Sequence, residues 1–441
     1  MSKYDKFFEE AKQNGIKESE LYIREAKELE FSIFHNEIVE FSNNSSTKIS
    51  ARGIVGNKFG AASSDVWSNE KCHFLVKQIK ENGEVIEDDD PAILFKGAEK
   101  YKKINMYSKS LSQTPIEKKI EMAKAIEAKV RSLDPRIIEV EGVHYSESEE
   151  IITIQNSNGL NLKQKANYCV LYAAAVAQEN GQVKSDYDLF FGTDLDSLDI
   201  DAFAKKVVQK TVSQLGGDPC ETGTYKVVLD PSVVASFLGA YLGNAAATSV
   251  QRKSSLFIGK IGQKIASSKL TVEELPQAKT VFARTFDDEG YPTANKKIID
   301  KGKLTTYIYS LTSAAKDNVS STGNGFRRGA TVTEGFSLLS VKPGKLSQEE
   351  LFKKIGNGVY INNVSGLHAG LNPMSGNFSL QSGGFLIKDG KIVRGLDMVT
   401  LSGNLVQLFM DVEEVGSDAI LLPQSIKCPS LVIKKLNVSG K

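Results

Sequence analysis

The residues with the most chemistry to offer in this chain are scattered rather than paired. Its four histidines are His35, His73, His144 and His368, and no two stand within one helical turn of each other. A single helix therefore cannot present two imidazoles to one metal ion. The four cysteines, Cys72, Cys169, Cys220 and Cys428, are equally dispersed and form no C-x-x-C pair. That spacing fits reduced thiols in a cytoplasm better than a disulfide framework. A site assembled from distant segments, for instance Cys428 with His368, stays open.

His368 lies in the most unusual stretch of the chain, Gly366 to Gly384, GLHAGLNPMSGNFSLQSGG. Five glycines in nineteen residues make a poor helix and allow backbone to approach backbone or ligand closely, because glycine carries no Cβ. His368, Gly370, Asn372, Ser375 and Ser379 are therefore candidates to line a binding cavity. The competing role for His368 is a structural hydrogen bond. A second glycine-rich stretch, GNGFRRG (Gly323–Gly329), is read as a nest of backbone N–H groups with Arg327 and Arg328 beside it, an anion site. Asn324 and Arg327 join the cavity candidates on that ground.

Other motifs read as structural. In DLDSLDID the carboxylates Asp194, Asp196, Asp199 and Asp201 are spaced somewhat like a calcium loop. The turn glycine is missing, however, and Lys205 stands where a bidentate glutamate would close the site. A solvated loop capping the next helix is the expectation. FDDEG (Phe286–Gly290) reads as a polar turn, and no G-x-S-x-G elbow accompanies the many serines.

The elements that must position these residues follow from pattern. At 441 residues one core would be unusually large, so two or three domains are expected. A composition of 41% hydrophobic and 25% charged residues is that of a soluble globular protein, and a net charge of +1 argues against direct nucleic-acid binding. The longest apolar runs, Val170–Ala177 and Phe237–Leu242, fall well short of the roughly 18 residues of a membrane helix. The opening residues read as an amphipathic helix over Lys3–Asn14, not as a signal peptide, so a cytoplasmic protein is expected.

Leu29, Phe31 and Ile33 alternate as a strand does. Lys48–Phe59 is a second strand with bulges or bends at Gly53 and Gly56, and Asp65 caps a helix through Val76. The acidic run Asp88–Asp90 marks a loop. Thr114-Pro115-Ile116-Glu117 reads as a capped helix start, with Ile116, Ile120, Ala123, Ile126, Val130 and Leu133 as its buried stripe. Strands follow at Ile137–Tyr145, Ile151–Gln155 and Leu160–Gln178, then a helix opened by Asp199 or Asp201 and ended by Gly216-Gly217. Beyond the boundary at Gly216–Thr224, Tyr225–Leu229 is a strand and Asp230-Pro231 starts a helix through Leu242. Lys297–Tyr309 and Phe385–Val393 carry hairpin chemistry, and Ser347–Ile355 is a helix. One large antiparallel sheet with few helices is the expectation for this C-terminal part.

Several phrases in order carry a resemblance: strand–Asp230-Pro231–helix, RKSSLFIGKIGQKIAS (Arg252–Ser267), FDDEGYPT (Phe286–Thr293), STGNGFRR (Ser321–Arg328), GLHAGLNPMSGNFSLQSGG and GSDAILLP (Gly416–Pro423). Together they resemble the TldD/PmbA family, whose PmbA branch is also called TldE and was once described as a modulator of DNA gyrase. The resemblance implies an α+β fold with two small N-terminal α/β units, residues 1–95 and 110–217. It also implies a C-terminal domain, residues 222–441, on an extended, curved antiparallel sheet. TldD-type and PmbA-type chains resemble the two halves of a peptidase that encloses a cavity and cleaves unfolded peptides. In TldD-type chains the helix after the first C-terminal strand carries H-E-x-x-x-H, with two zinc ligands and a general base.

Here the corresponding helix reads ASFLGAYLGNAAATS, so Gly239, Ala240 and Asn244 stand where His, Glu and His would be. No shift of alignment repairs this, because residues 145–367 contain no histidine. The resemblance thus implies a PmbA-like member with no cofactor and no catalytic residue of its own, zinc being expected only in a TldD-like partner. Its expected partners are that subunit and unfolded peptides, with a homodimer in isolation. Two other readings stand beside it. One is an independent hydrolase built from His368, Asp287 or Asp288, and Cys428. The other is an interaction module acting on DNA gyrase.

Overall fold

The computed structural model describes residues 3–87, 90–329 and 331–441, and its class is α+β, as expected. The N-terminal half rests on one strongly curved antiparallel sheet. Its strands are β1 (Ser19–Phe34), β2 (Glu37–Val55), β3 (Lys58–Ser64), β4 (Ile137–Asn156), β5 (Asn161–Glu179) and β6 (Gln182–Gly192). They lie in the order β3-β2-β1-β4-β5-β6. Because β1 pairs with β4 from Glu20↔Asn156 to Ile33↔Val143, strands from residues 1–95 and 110–217 share a single sheet. The expected break between Tyr145 and Ile151 is absent: the polar residues there keep both ladders, so β4 runs through, and β6 is a strand the pattern did not signal.

Helices cover one face of this sheet. α1 (Asp5–Gln13) and α2 (Asn69–Val85) close a core of Phe7, Leu21, Ile23, Ile49, Leu75 and Ile79. After the short α3 (Lys109–Gln113), α4 (Ile116–Leu133) and α5 (Ile200–Val212) bury Ile126, Val130, Phe203 and Val207 against Phe31, Ile33, Tyr145 and Leu171. Alternation along β5 turns Cys169, Leu171, Ala173 and Ala175 to the helices and leaves Tyr168, Val170 and Tyr172 on the open face.

Three local expectations shift. Ser68, not Asp65, caps α2, which runs on to Val85. The Thr114 hydroxyl donates to the Ser110 carbonyl (2.9 Å) and closes α3, so α4 starts at Ile116, after Pro115, without a side-chain cap. Gly53 is no bulge but keeps register, its missing Cβ making room for Ile16 and Ile79, whereas Gly56 (φ +62°) turns the β2–β3 hairpin. Of the run Asp88–Asp90, the first two residues lie outside the described ones.

In the C-terminal part, β7 (Gly223–Leu229) leads through Asp230 into α6 (Pro231–Leu242) and then α7 (Ala247–Gln251). One six-stranded sheet contains β8 (Val272–Glu274), β9 (Lys296–Asp300), β10 (Lys303–Leu304), β13 (Leu339–Val341), β18 (Ile420–Leu422) and β19 (Ile426–Cys428). Between these come α8 (Leu311–Lys316) and the hairpin of β11 (Gly325–Arg328) and β12 (Thr331–Glu334). The other sheet contains β7, β14 (Gly358–Ser365), β15 (Asn377–Lys388), β16 (Lys391–Asn404), β17 (Val412–Val415) and β20 (Leu431–Ser439). It closes into a barrel where β16 meets β20. The remaining helices are α9 (Gln348–Ile355), α10 (Leu367–Gly370) and α11 (Leu405–Met410).

The C-terminal part thus has two six-stranded sheets beside the β11–β12 hairpin, each of the two with one parallel pair, β7–β14 and β13–β19. A parallel neighbour needs a crossover, and between β7 and β14 the chain travels through α6 and most of the second sheet before returning. Helix α6 is apolar nearly all round: Val233, Val234, Phe237, Leu238, Tyr241 and Leu242 are buried in the core it shares with both sheets. Both hairpin signals hold, with left-handed pairs Lys301-Gly302 and Asp389-Gly390 at the turns. Among the described residues no helix is long and apolar enough to cross a membrane.

In β15, Gly384 faces Ile361 of β14, and a Cβ there would stand 1.9 Å from the Tyr360 carbonyl oxygen. Gly384→Ala is expected to lower stability by about 3 kcal/mol, read as a fall in the urea midpoint. At the neighbouring Gly383 a Cβ would meet nothing closer than 3.5 Å. Gly383→Ala should change stability by less than about 1 kcal/mol.

Candidate functional site

The helix that would carry catalytic ligands is α6. Asp230 caps it, accepting from the Ser232 N–H (2.8 Å). Gly239 is exposed on its surface and Ala240 is half-buried; neither has a side-chain donor or acceptor. Asn244 is buried just past the helix, in a single 3-10 turn, and its amide is already engaged. Nδ2 donates to the Tyr241 carbonyl (3.1 Å) and Oδ1 accepts from the Leu256 N–H (2.8 Å). Its carbonyl accepts from the Ser255 hydroxyl (2.6 Å). The residue ties Ser255-Leu256 to the helix end, and these three positions do not fit a metal ion. Among the described residues no group of three His, Cys, Asp or Glu side chains is placed to hold one.

The two motifs FDDEG and GNGFRRG turn out to be each other's partners. Asp287 Oδ1 accepts from the N–H groups of Glu289 (3.0 Å) and Tyr291 (2.9 Å), and Oδ2 from that of Gly325 (2.9 Å). Asp288 accepts from the Arg327 N–H (2.8 Å), Arg284 Nη2 (2.9 Å) and the Tyr22 hydroxyl (3.2 Å). The anion that the nest was expected to attract is thus supplied by the chain itself. Asn324 is fully buried, donating to Glu274 (2.9 Å), and the Arg327 side chain is buried against Glu20 (2.5 Å). Neither side chain reaches the surface. Gly325 must be glycine here, since a Cβ would lie 2.7 Å from Glu289 Oε2.

The network reaches into the N-terminal sheet. Arg52 of β2 donates to Glu20 of β1 (2.8 Å) and lies 3.7 Å from Glu289. Four buried carboxylates (Glu20, Asp287, Asp288, Glu289) thus face the buried guanidiniums of Arg52 and Arg327 and the half-buried one of Arg284, and one retained proton makes the group neutral. Burial first, and the neighbouring Glu289 charge second, push Asp287 up to about 8. Burial raises Glu289 as well.

The segment around His368 is a built surface loop. Gly366 (φ +79°) starts α10, and Gly370 packs where a Cβ would lie 2.3 Å from the Ser379 carbonyl. Asn372 Oδ1 accepts from the N–H groups of Met374 and Ser375 (3.0 Å each), and Asn404 Nδ2 donates to the Ser375 carbonyl (2.8 Å). The structure thus gathers His368, Gly370, Asn372, Ser375 and Ser379 beside the start of β15, with His368, Asn372, Ser375 and Ser379 exposed. Cys428 is elsewhere, fully buried, its thiol donating to the Pro231 carbonyl (3.1 Å) and raised by burial. His368, Asp287 and Cys428 therefore do not assemble. The DLDSLDID carboxylates act as caps: Asp194 and Asp199 accept from the N–H groups of Asp196 and Ala202.

Family models match two stretches of the chain, the PmbA/TldA metallopeptidase central domain at residues 109–215 and its C-terminal domain at residues 222–440. The chain belongs to the PmbA/TldD family. It is 26% identical to the metalloprotease PmbA homolog of Buchnera aphidicola over 96% of this chain and 93% of that protein. A Thermotoga maritima protein described as a candidate modulator of a DNA gyrase matches 99% of both chains at a TM-score of 0.91 and 26% identity. TldE from Thermococcus kodakarensis shares the fold at a TM-score of 0.89 over 100% of each chain, with 23% identity.

Within this family fold, the sequence reading missed the joint between Glu20, Arg52 and the FDDEG turn. The available signal was the pairing of an acidic motif with an arginine-bearing, glycine-rich one, but nothing local assigns one to the other.

The joint makes two expectations. In the folded chain Asp287 keeps a proton that the unfolded chain releases above its ordinary value of 3.8, so between about pH 4 and 8 stability falls as pH rises. Urea midpoints across that window should drop in the parent and flatten in Glu289→Gln; equal slopes would place the effect elsewhere. Asn244→Ala, which leaves the half-buried Leu256 N–H without its acceptor, should reduce stability by about 1 kcal/mol in the same assay.

Proposed function

We propose that this chain is a non-catalytic, PmbA/TldE-like subunit of a TldD-type metallopeptidase that degrades or matures unfolded peptides in the cytosol. The observation that carries the reading is the build of α6. At the positions of the TldD-type motif it has two residues without donors, Gly239 and Ala240, and an asparagine held by its own fold. A glycine leaves no group to bind zinc, and an alanine none to move a proton. A TldD-like partner would bring both, and this chain would complete the enclosure and hold substrate. Extended peptide is a fitting substrate for a fold so rich in strands, since a strand edge offers main-chain hydrogen bonds without demanding a sequence. In the absence of the partner a homodimer takes its place.

A gyrase-directed role is the second reading, favoured by the description of the Thermotoga maritima relative. A net charge of +1 makes contact with a protein subunit the fitting form of that role, rather than contact with DNA.

Metal analysis and a peptidase assay test the proposal. The purified chain should hold no stoichiometric zinc and leave an unfolded peptide intact, and cleavage should begin on mixing with a homologue bearing H-E-x-x-x-H. Tightly bound zinc in the lone chain, or cleavage by it that disappears in His368→Ala, would overturn the reading. Capture of a gyrase subunit with no TldD-like chain would favour the second.

A further inference from the structure

We propose that the open face of the N-terminal sheet carries a pocket for a basic side chain, arginine above all, of a bound peptide. The inference rests on the peptide-handling reading above and names the side-chain class that the subunit would select.

Register builds the pocket. Glu40 of β2 lies opposite Ser32 of β1, Ser32 opposite His144 of β4, and His144 opposite Tyr172 of β5. Directly paired residues share one face, so the four side chains form a row across four strands. This is the face that α4 and α5 leave uncovered. A cavity of about 380 Å³ lies along the row, lined also by Glu30 and Val170.

The hydrogen bonds decide between catalysis and binding. The Ser32 hydroxyl donates to Glu40 Oε2 (3.1 Å) and stands 2.7 Å from His144 Nδ1. With its proton directed to the carboxylate, Ser32 accepts from an Nδ1–H of His144. The order is acid–serine–imidazole, whereas a serine nucleophile needs its hydroxyl bonded to a basic imidazole nitrogen. Ser32 is also 5% exposed. It is a positioning residue, and its hydrogen bond fixes the charged Glu40 beside the cavity.

Charge and shape then select the occupant. The lining includes two carboxylates, Glu30 and Glu40, and no lysine or arginine. Among the described residues no three such groups converge closely enough for a metal ion. Glu30 and Glu40 sit diagonally on neighbouring strands, a separation that a forked guanidinium spans and a single ion does not. The Tyr172 ring, tilted against Tyr187 at 5.0 Å, supplies the aromatic face on which a guanidinium rests. Both glutamates are exposed, so the selectivity is modest.

Anisotropy titration of the full chain with a labelled unstructured peptide containing one arginine tests this, against the same peptide with glutamine in its place. The arginine peptide should bind about fivefold more tightly, and the E30Q/E40Q double variant should erase the difference while the melting profile stays that of the parent. Equal affinity of the two peptides for the parent chain overturns the pocket without any variant. So does calcium or zinc alone binding to the parent and not to E30Q/E40Q. Partner-dependent cleavage without arginine preference would remove the pocket and keep the subunit reading. Arginine preference without any cleavage would do the reverse.

Discussion

Glu20 and Arg327 lie 307 positions apart and meet through a 2.5 Å hydrogen bond with almost no exposure on either side. Around that contact Arg52, Arg284, Asp287, Asp288 and Glu289 complete a buried ionic joint between the first strands of the N-terminal sheet and the FDDEG turn of the C-terminal part. Charges buried this deeply are tolerated only when each is paired and hydrogen-bonded. The joint meets that condition in part by recruiting backbone: Gly325, Tyr291 and Arg327 all donate N–H groups to its carboxylates, while Glu20 Oε2, Arg52 Nη2, Arg284 Nη1 and Arg327 Nε and Nη1 have no hydrogen-bond partner among the described residues. It also retains a proton, because four carboxylates and three guanidiniums do not otherwise balance. The same seam carries an apolar cluster in which Tyr22, Ile152, Ile154 and Leu160 pack with Phe286.

Helix α6 shows how a family scaffold persists without its ligand set. Its buried residues pack against barrel and second sheet on nearly every side, and Asp230 anchors its start by accepting both from Ser232 and from the Tyr360 hydroxyl. These are packing and capping demands, indifferent to whether its exposed positions carry histidine or glycine. On the proposed reading the chain's contribution moves from that helix to its surfaces, the loop before β15 and the open face of the N-terminal sheet.

The joint also explains why short motifs mislead when read alone. GNGFRRG has the composition of an anion nest and behaves as one, yet its anions are Asp287 and Asp288. Thr114 has the right neighbours for a helix cap but already closes the preceding turn through Ser110. Asp65 precedes an apolar stripe as a cap should, and Ser68 takes the role because the chain is still finishing the hairpin strand at Ser64. In each case the residue type was read correctly and its partner was not.

What the sequence determined by itself were features whose partners lie within a few residues. Examples are the Asp230-Pro231 start of α6, the Asp389-Gly390 turn, the helix that Ser347 opens, and the alternation of Leu29, Phe31 and Ile33. Such features are set by local dihedral preferences and the periods of helix and strand. Tertiary structure alone decided that β1 would pair with β4, that two C-terminal sheets would replace one, and that Glu20 would meet Arg327. It likewise decided that Glu40, Ser32, His144 and Tyr172 would stand in one row. Those pairings join segments tens to hundreds of residues apart, where many partners satisfy the same pattern and only simultaneous burial of the whole set selects one.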